Sequence, residues 1–160
     1  MPYHHEQIGR LFIVSMLIGV AIALAVGFPL ASNPKGAPGS VALIFFIGAL
    51  IALLMVAFAR LGIDVGTDPG GHARLRWAMT FGWPGATIPL SAIARARIIP
   101  VTFWMGIGIH FTLSGWVWNV ALGRGVQIRK RDGGDVVLGT DDPEGLLAAI
   151  SDARAAAGPP

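Results

Sequence analysis

Two uninterrupted apolar runs, Leu11–Leu30 and Val41–Ala59, precede a region in which apolar and polar residues alternate. Each run is long enough to cross the hydrocarbon core of a bilayer as a helix, which takes ~20 residues at a rise of ~1.5 Å. Gly27 and Pro29 signal an end near Phe28 for the first helix, and Arg60 closes the second. The connector Ala31–Ser40 is dense in turn formers and too short for a domain. Spans over about 11–30 and 41–59 therefore return antiparallel, as a hairpin preceded by a short polar lead over residues 1–10.

After Arg60 the period changes. In His72–Phe81, the residues Leu75, Trp77, Met79 and Phe81 fall on one face, with Arg74, Arg76, Ala78 and Thr80 on the other, the pattern of a half-buried antiparallel strand. Ile107–Ser114 repeats it, with Ile107, Ile109, Phe111 and Leu113 opposite Gly108, His110, Thr112 and Ser114. Val126, Ile128 and Lys130 alternate with Gln127, Arg129 and Arg131, whose charges suit an exposed or edge position. Asp132-Gly133-Gly134 is a hairpin turn signal, and Val136–Leu138 is the return strand. Leu61–Val65, Ile88–Ile99 and Trp116–Val120 are weaker strand candidates. A helix then begins with Asp142 as N-cap, Pro143 at the first position and Glu144 near its positive end. Leu146, Leu147 and Ile150 give it an apolar stripe as far as about Ala157. The expectation is a membrane α-helical hairpin with its lead over residues 1–60 and an α+β soluble domain of antiparallel strands over residues 61–160, closed by one C-terminal helix.

Composition sharpens that division. The chain is 54% hydrophobic, yet residues 11–59 hold a single charge, Lys35, whereas residues 60–160 carry ten Arg or Lys against eight Asp or Glu, an ordinary soluble balance. Cysteine is absent, which excludes disulfides and thiolate chemistry. A net charge of +3 gives no case for nucleic acid. The first run exceeds the ~7–15 residues of a signal-peptide core and has no small-x-small site after it, so a retained span is expected. Arg10 and Arg60, with Arg74 and Arg76 farther out, outweigh Lys35 in the connector, which favours both termini in the cytoplasm.

The later elements resemble the bacterial pleckstrin-homology-like domain of small two-span membrane proteins. Gly125-Val126 through Arg131-Asp132-Gly133, then Gly139-Thr-Asp-Asp-Pro143 and Leu146–Ile150, carry the resemblance, and Ile88-Pro-Leu90, Ile93, Gly106–Ile109 and Gly115–Val120 are similar to its middle strands. The resemblance implies a strongly bent sheet or partial barrel plugged at one end by the helix. It also implies a binding or scaffolding role in a bacterial inner membrane, without catalysis and without a cofactor. Phosphoinositide-binding members carry basic residues between their first two strands, where this chain has Arg74 and Arg76 after Asp64, Asp68 and Gly70-Gly71.

Candidate sites divide by chemistry. Ser15, Gly19, Ala23 and Gly27 recur every fourth residue in the first span, as do Gly48 and Ala52 in the second. Small side chains on one face let helices approach closely, either within the hairpin or between two copies of the chain as a homodimer. Trp83 and Trp104 sit near Pro84 and Pro100 in loop-like sequence, where they either dip into the headgroup zone or cover the open end of a small barrel. Of Trp77, Trp116 and Trp118, the first and one of the others belong to the core. Arg74, Arg76, Arg95, Arg97, Arg124, Arg129, Lys130 and Arg131 outnumber nearby acids and form either a basic edge on an anionic leaflet or a solvated strand face. A sheet edge near Arg129 and Arg131 offers strand addition to a membrane-protein partner. His4, His5 and Glu6 read as a solvated lead rather than a metal site, His110 as a mid-strand histidine without a carboxylate or nucleophile, and Asp141-Asp142 as a helix cap. No phosphate-cradling loop, nucleophile elbow or zinc spacing is present in the sequence. The functional expectation is recognition of a protein segment or lipid headgroup at the membrane surface, with a small oligomeric transport component as the alternative. Neither span has an ionisable residue within it to mark a transport path.

Overall fold

The computed structural model describes residues 2–32, 38–113 and 115–156. Residue 1, residues 33–37 of the connector with Lys35 among them, Ser114 and the chain after Ala156 lie outside the described residues. The elements run β1 (Tyr3–Ile8), α1 (Arg10–Ala31), α2 (Pro38–Ala57), β2 (Arg60–Thr67), β3 (Ala73–Met79), β4 (Gly85–Pro89), β5 (Ile93–Val101), β6 (Gly108–Thr112), β7 (Gly115–Asn119), β8 (Gly123–Lys130), β9 (Asp135–Gly139) and α3 (Pro143–Ala156). Two sheets form, one ordered β1-β2-β3-β4 and the other β5-β8-β9-β7-β6.

The polar lead is a strand of the first sheet, which corrects the expectation of a solvated tail. Tyr3↔Val65 through Ile8↔Arg60 pair antiparallel with β2, so residues from both sides of the helical hairpin build one sheet. Its residues are polar on both faces, and hydrophobic periodicity is silent about such a strand. Its partners lie far along the chain: His4 Nδ1 is 2.5 Å from Asp64 Oδ1, His5 Nε2 is 2.5 Å from Asp141 Oδ1, and Arg60 donates to Glu6 at 2.9 Å. The Gly9 N–H donates to the Ala59 carbonyl at 2.7 Å, sealing the point where both helices meet the sheet.

Both helices are long and apolar enough to cross a membrane. The 22 residues of α1 and 20 of α2 give lengths of roughly 33 and 30 Å, matching a bilayer core of ~30 Å. Helix α1 continues through Pro29 to Ala31, beyond the expected end, because a proline in the last turn removes one helical N–H there and Ser32 bonds back to the Phe28 carbonyl. A Cβ on Gly27 would lie 2.7 Å from the Phe45 ring, and one on Gly48 would lie 3.3 Å from Ala23 Cβ. Ala23, Gly27, Gly48 and Ala52 thus occupy the less exposed side of the hairpin, while Ser15 and Gly19 are exposed.

The core fills the space between the sheets and under α3. Leu61, Ile63, Leu75, Trp77, Ile93, Ile128, Leu138, Leu146 and Ile150 are buried there, and Trp118 (not Trp116) meets Trp77 edge-on at 6.0 Å. Asp142 caps α3 by accepting from the Gly145 N–H at 3.0 Å. Two strand expectations change. Phe81 leaves the strand, because the chain turns after Met79 with Gly82 at φ +76° and the Gly82 N–H bonding the Met79 carbonyl. The run Ile88–Ile99 divides at a 3-10 turn over Leu90–Ala92, where the chain crosses from one sheet to the other.

The sheets are also not wholly antiparallel. Strands β7 and β9 pair parallel, Trp116↔Val136 to Trp118↔Leu138. Gly115, at φ +92°, allows this, since a Cβ there would lie 2.1 Å from the Asp135 carbonyl oxygen. The β6–β7 hairpin is thereby added beyond β9, which becomes interior, while β8 is interior through its own pairing with β5 and β9.

Candidate functional site

The strand register decides which loops share an end of the sandwich. Strands β1 and β2 meet the helices at Ile8 and Arg60. Leu61 pairs with Met79, and Thr80 Oγ1 donates to the Val56 carbonyl of α2 at 2.7 Å, so the β3–β4 turn lies at this helix-bearing end. Gly9 packs so closely on Val120 that a Cβ would lie 2.7 Å from its carbonyl oxygen, which brings the β7–β8 turn to the same end. Val101 pairs with Gly123, so the segment after β5 is there too. The β6–β7 and β8–β9 turns occupy the opposite end.

Exposed apolar side chains collect accordingly. Phe81 and Trp83 come from the β3–β4 turn, Phe103 and Trp104 from the segment after β5, Leu122 from the β7–β8 turn and Ile8 from the end of β1; all are exposed. Together they form a collar of exposed apolar side chains at the helix-bearing end of the sandwich, contributed by both sheets. Water penalises such exposure, whereas the interfacial zone of a bilayer suits rings that are apolar in body with one polar N–H. Trp83 and Trp104 therefore share one end, and neither covers the core. Beside the first turn of α1 a cleft of about 380 Å³ opens, lined by Gln7, Ile8, Arg10, Leu11, Ile107, Ala121, Leu122 and Asp141. A second exposed cluster, Phe111, Leu113 and Trp116, lies at the opposite end.

The basic residues do not form one edge. Arg74 and Arg76 lie on β3 of the first sheet, with Arg76 opposite Asp64. Arg124 ion-pairs with Glu144 near the helix-bearing end. Arg95, Arg97 and Arg129 share the outer face of the second sheet, while Lys130 and Arg131 begin the β8–β9 turn. Arg129 and Arg131 are not at a sheet edge, because β8 is interior; the outer strands of that sheet are β5 and β6. Arg129 lies six residues along β8 from Gly123, roughly 20 Å at ~3.3 Å per residue. That exceeds the Debye length of ~8 Å and sets the arginine face apart from the base of the helices, where Arg10, Arg60 and Arg124 lie and the Arg76 guanidinium reaches the β3–β4 turn, 3.9 Å from a Cβ on Gly82.

On the outer face of the second sheet, Arg129 grips Asp135 through Nε and a terminal nitrogen, both at 2.7 Å. This pairing holds the Asp135 carboxyl below its ordinary range and raises Arg129. Gln127 bridges outward, donating to Asp135 at 3.0 Å and accepting from Arg97 Nε at 2.8 Å. Arg95, Arg97, Gln127 and Arg129 line a shallow pocket of about 180 Å³.

Other candidates resolve into structural roles. His110 Nε2 is buried with no hydrogen-bond partner among the described residues, its ring packs on Gly106, and burial lowers its pKa. Buried Asn119 pins the segment before β6, donating to the Gly106 carbonyl at 2.9 Å and accepting from the Gly108 N–H at 3.0 Å. Tyr3 donates to Asp142 Oδ2 at 3.2 Å, and burial with that carboxylate pushes its phenol upward. Among the described residues no group of three or more His, Cys, Asp or Glu is arranged to hold a metal. No family model, curated protein or solved structure matches the chain.

Periodicity alone missed Phe81, Phe103, Leu122 and Ile8 as members of the collar, and Gln127 and Asp135 as members of the arginine face. The signal for Phe81 was the adjoining Gly82-Trp83-Pro84, which stops a strand; for Phe103 it was its place beside Trp104, between Pro100 and Gly106.

Proposed function

We propose that the protein is a membrane-anchored binding module: a two-span hairpin holds a pleckstrin-homology-like domain against the bilayer surface, and the domain recognises a partner there. The observation that carries this reading is the insertion of the hairpin between β1 and β2, which brings both helices out of one end of the sandwich inside a collar of exposed aromatic residues. The helices are almost wholly exposed, unlike core helices, and lipid supplies the missing cover. Removal of α1 as a signal sequence would also remove β1 and its ladder to β2, so retention of both spans accords with the sheet.

The four-stranded antiparallel first sheet, the second sheet and the helix packed on the core accord with a pleckstrin-homology-like type, with the β6–β7 hairpin as an addition to it. Arg10 and Arg60 at the helix-bearing end support a cytoplasmic domain and cytoplasmic termini, and the family resemblance supports a bacterial inner membrane. The small residues Ala23 and Gly48 meet within the hairpin, which supports anchoring over assembly into a conduit.

Fluorescence of the full chain in phosphatidylcholine nanodiscs, with and without brominated lipid, tests the reading. Bromine near the headgroups should quench Trp83 and Trp104 and spare Trp77, Trp116 and Trp118. Equal quenching of wild type and of W83F/W104F would overturn it.

A further inference from the structure

We infer that the outer face of the second sheet is a phosphate-binding site formed by Arg95, Arg97, Arg129 and Gln127. The inference rests on the proposed membrane-anchored binding module and names the chemistry its domain takes.

The face is built by a local departure from regular pairing. Ile93 pairs with Lys130, but the next pair is Arg95 with Arg129, so Ala94 is an extra residue in β5. Regular pairing would set Arg95 against Ile128 and turn it toward the core. The bulge instead keeps Ile93 in the core and turns Arg95 and Arg97 outward, beside Arg129 and Gln127. Bulges commonly re-aim side chains in this way next to functional sites.

The result is electrostatically incomplete. Arg95 faces Arg129 directly across the strands, an unfavourable like-charge pair. Three guanidinium groups meet one carboxylate, Asp135, leaving a local charge of 3 − 1 = +2. Among the described residues Asp135 hydrogen-bonds only Arg129 and Gln127, with Arg97 acting on it through charge alone, and the Arg97 Nε donates to Gln127. The terminal nitrogens of Arg97 and the whole Arg95 guanidinium have no hydrogen bond or ion pair among the described residues.

The lining selects the ligand class. All four residues lining the pocket of about 180 Å³ are polar or charged, with the apolar cluster of Ile99, Val101, Val117 and Val137 beside it on the same face. Guanidinium forks match the paired oxygens of phosphate, with several acceptors for several donors. A compact phosphate or diphosphate group fits this space. The site lies roughly 13–20 Å along the strands from the helix-bearing end, by the ~3.3 Å rise per residue. A soluble phosphate ester reaches it directly, and a lipid phosphate reaches it on an extended headgroup.

The test is calorimetric titration of inorganic pyrophosphate into the full chain in phosphatidylcholine nanodiscs. Wild type should bind saturably, R95Q/R97Q should bind about tenfold more weakly or worse, and R74Q/R76Q on the other sheet should match wild type. Should R95Q/R97Q fail to fold, R95Q alone serves, because Arg95 has no hydrogen-bond or ion-pair partner to lose among the described residues. Doping the discs with phosphatidylinositol bisphosphate separates the sources. Weakened pyrophosphate binding would identify a lipid phosphate, and unchanged binding a soluble one; either upholds the site. Absence of saturable binding, equal binding by wild type and the arginine variant, or tighter binding of hexaglutamate than of pyrophosphate would overturn the inference. Intact quenching of Trp83 and Trp104 in that case would show that the anchored reading survives without this ligand.

Discussion

Trp104 is 91% exposed at the helix-bearing end of the sandwich, and Leu113 is fully exposed at the opposite end. Free in water, both are surface residues whose replacement changes stability by no more than about 0.5 kcal/mol. With the collar seated in a bilayer the two differ. A tryptophan offers ~150–250 Å² of contact surface, and burying about half of it in the interface at ~25 cal/mol per Å² is worth about 2.5 kcal/mol. The unfolded chain stays tethered by the helices and keeps part of that contact, which leaves about 1–2 kcal/mol on the folded side. Urea unfolding of the full chain in phosphatidylcholine nanodiscs, followed by near-ultraviolet dichroism of the Trp77–Trp118 pair, reads this difference. Trp104→Ser should destabilise by about 1–2 kcal/mol and Leu113→Ser by less than about 0.5 kcal/mol. Equal shifts for the two variants would refute the seating of the collar.

Pairing of β1 with β2 predicts that the double variant H4C/D64C forms an intramolecular disulfide on mild oxidation, read as a mobility shift on non-reducing gels, whereas H4C/A73C does not. His4 and His110 give opposite pH dependences. Asp64 raises His4, so its contribution is present below its ordinary value of 6.5 and fades as pH rises through the raised value. Burial lowers His110, so its contribution is complete above 6.5 and falls as pH drops from there toward the lowered value. Removing the first by H4A should leave a protein whose urea midpoint falls on mild acidification, and adding H110L should flatten that fall. At the distal end of the arginine face, Asp135→Asn should destabilise by about 1–3 kcal/mol in urea titrations, because Asp135 is largely buried and accepts from both Arg129 and Gln127.

Some of this architecture was legible because hydrophobic pattern encodes it directly. Both long helices follow from charge-free apolar runs of spanning length, the core side of β3 at Leu75, Trp77 and Met79 from a period of 2, and the cap and stripe of α3 from its end signals and a period of 3.6. Strand β1 was not legible, since His4, His5, Glu6 and Gln7 are polar on both faces and their partners lie beyond the whole hairpin. The parallel β7–β9 ladder depends on close backbone approach at Gly115, which no local pattern announces. For the site, the exposure of Trp83 and Trp104 was foreseeable from flanking prolines, but their convergence on one end arises from strand direction. Likewise the arginines were visible one by one, whereas the bulge at Ala94 that groups Arg95 and Arg97 with Arg129 is a property of pairing.

One geometric claim is central: the chain enters and leaves the membrane from the same end of a single sheet, at the paired Ile8 and Arg60. The chain has no native cysteine, so single cysteines can be installed at Pro2, Ser32 and Ser151, all exposed, and labelled in sealed vesicles with a membrane-impermeant maleimide. The account predicts that Pro2→Cys and Ser151→Cys label from one side and Ser32→Cys from the other. Labelling of Pro2→Cys and Ser151→Cys from opposite sides would contradict it.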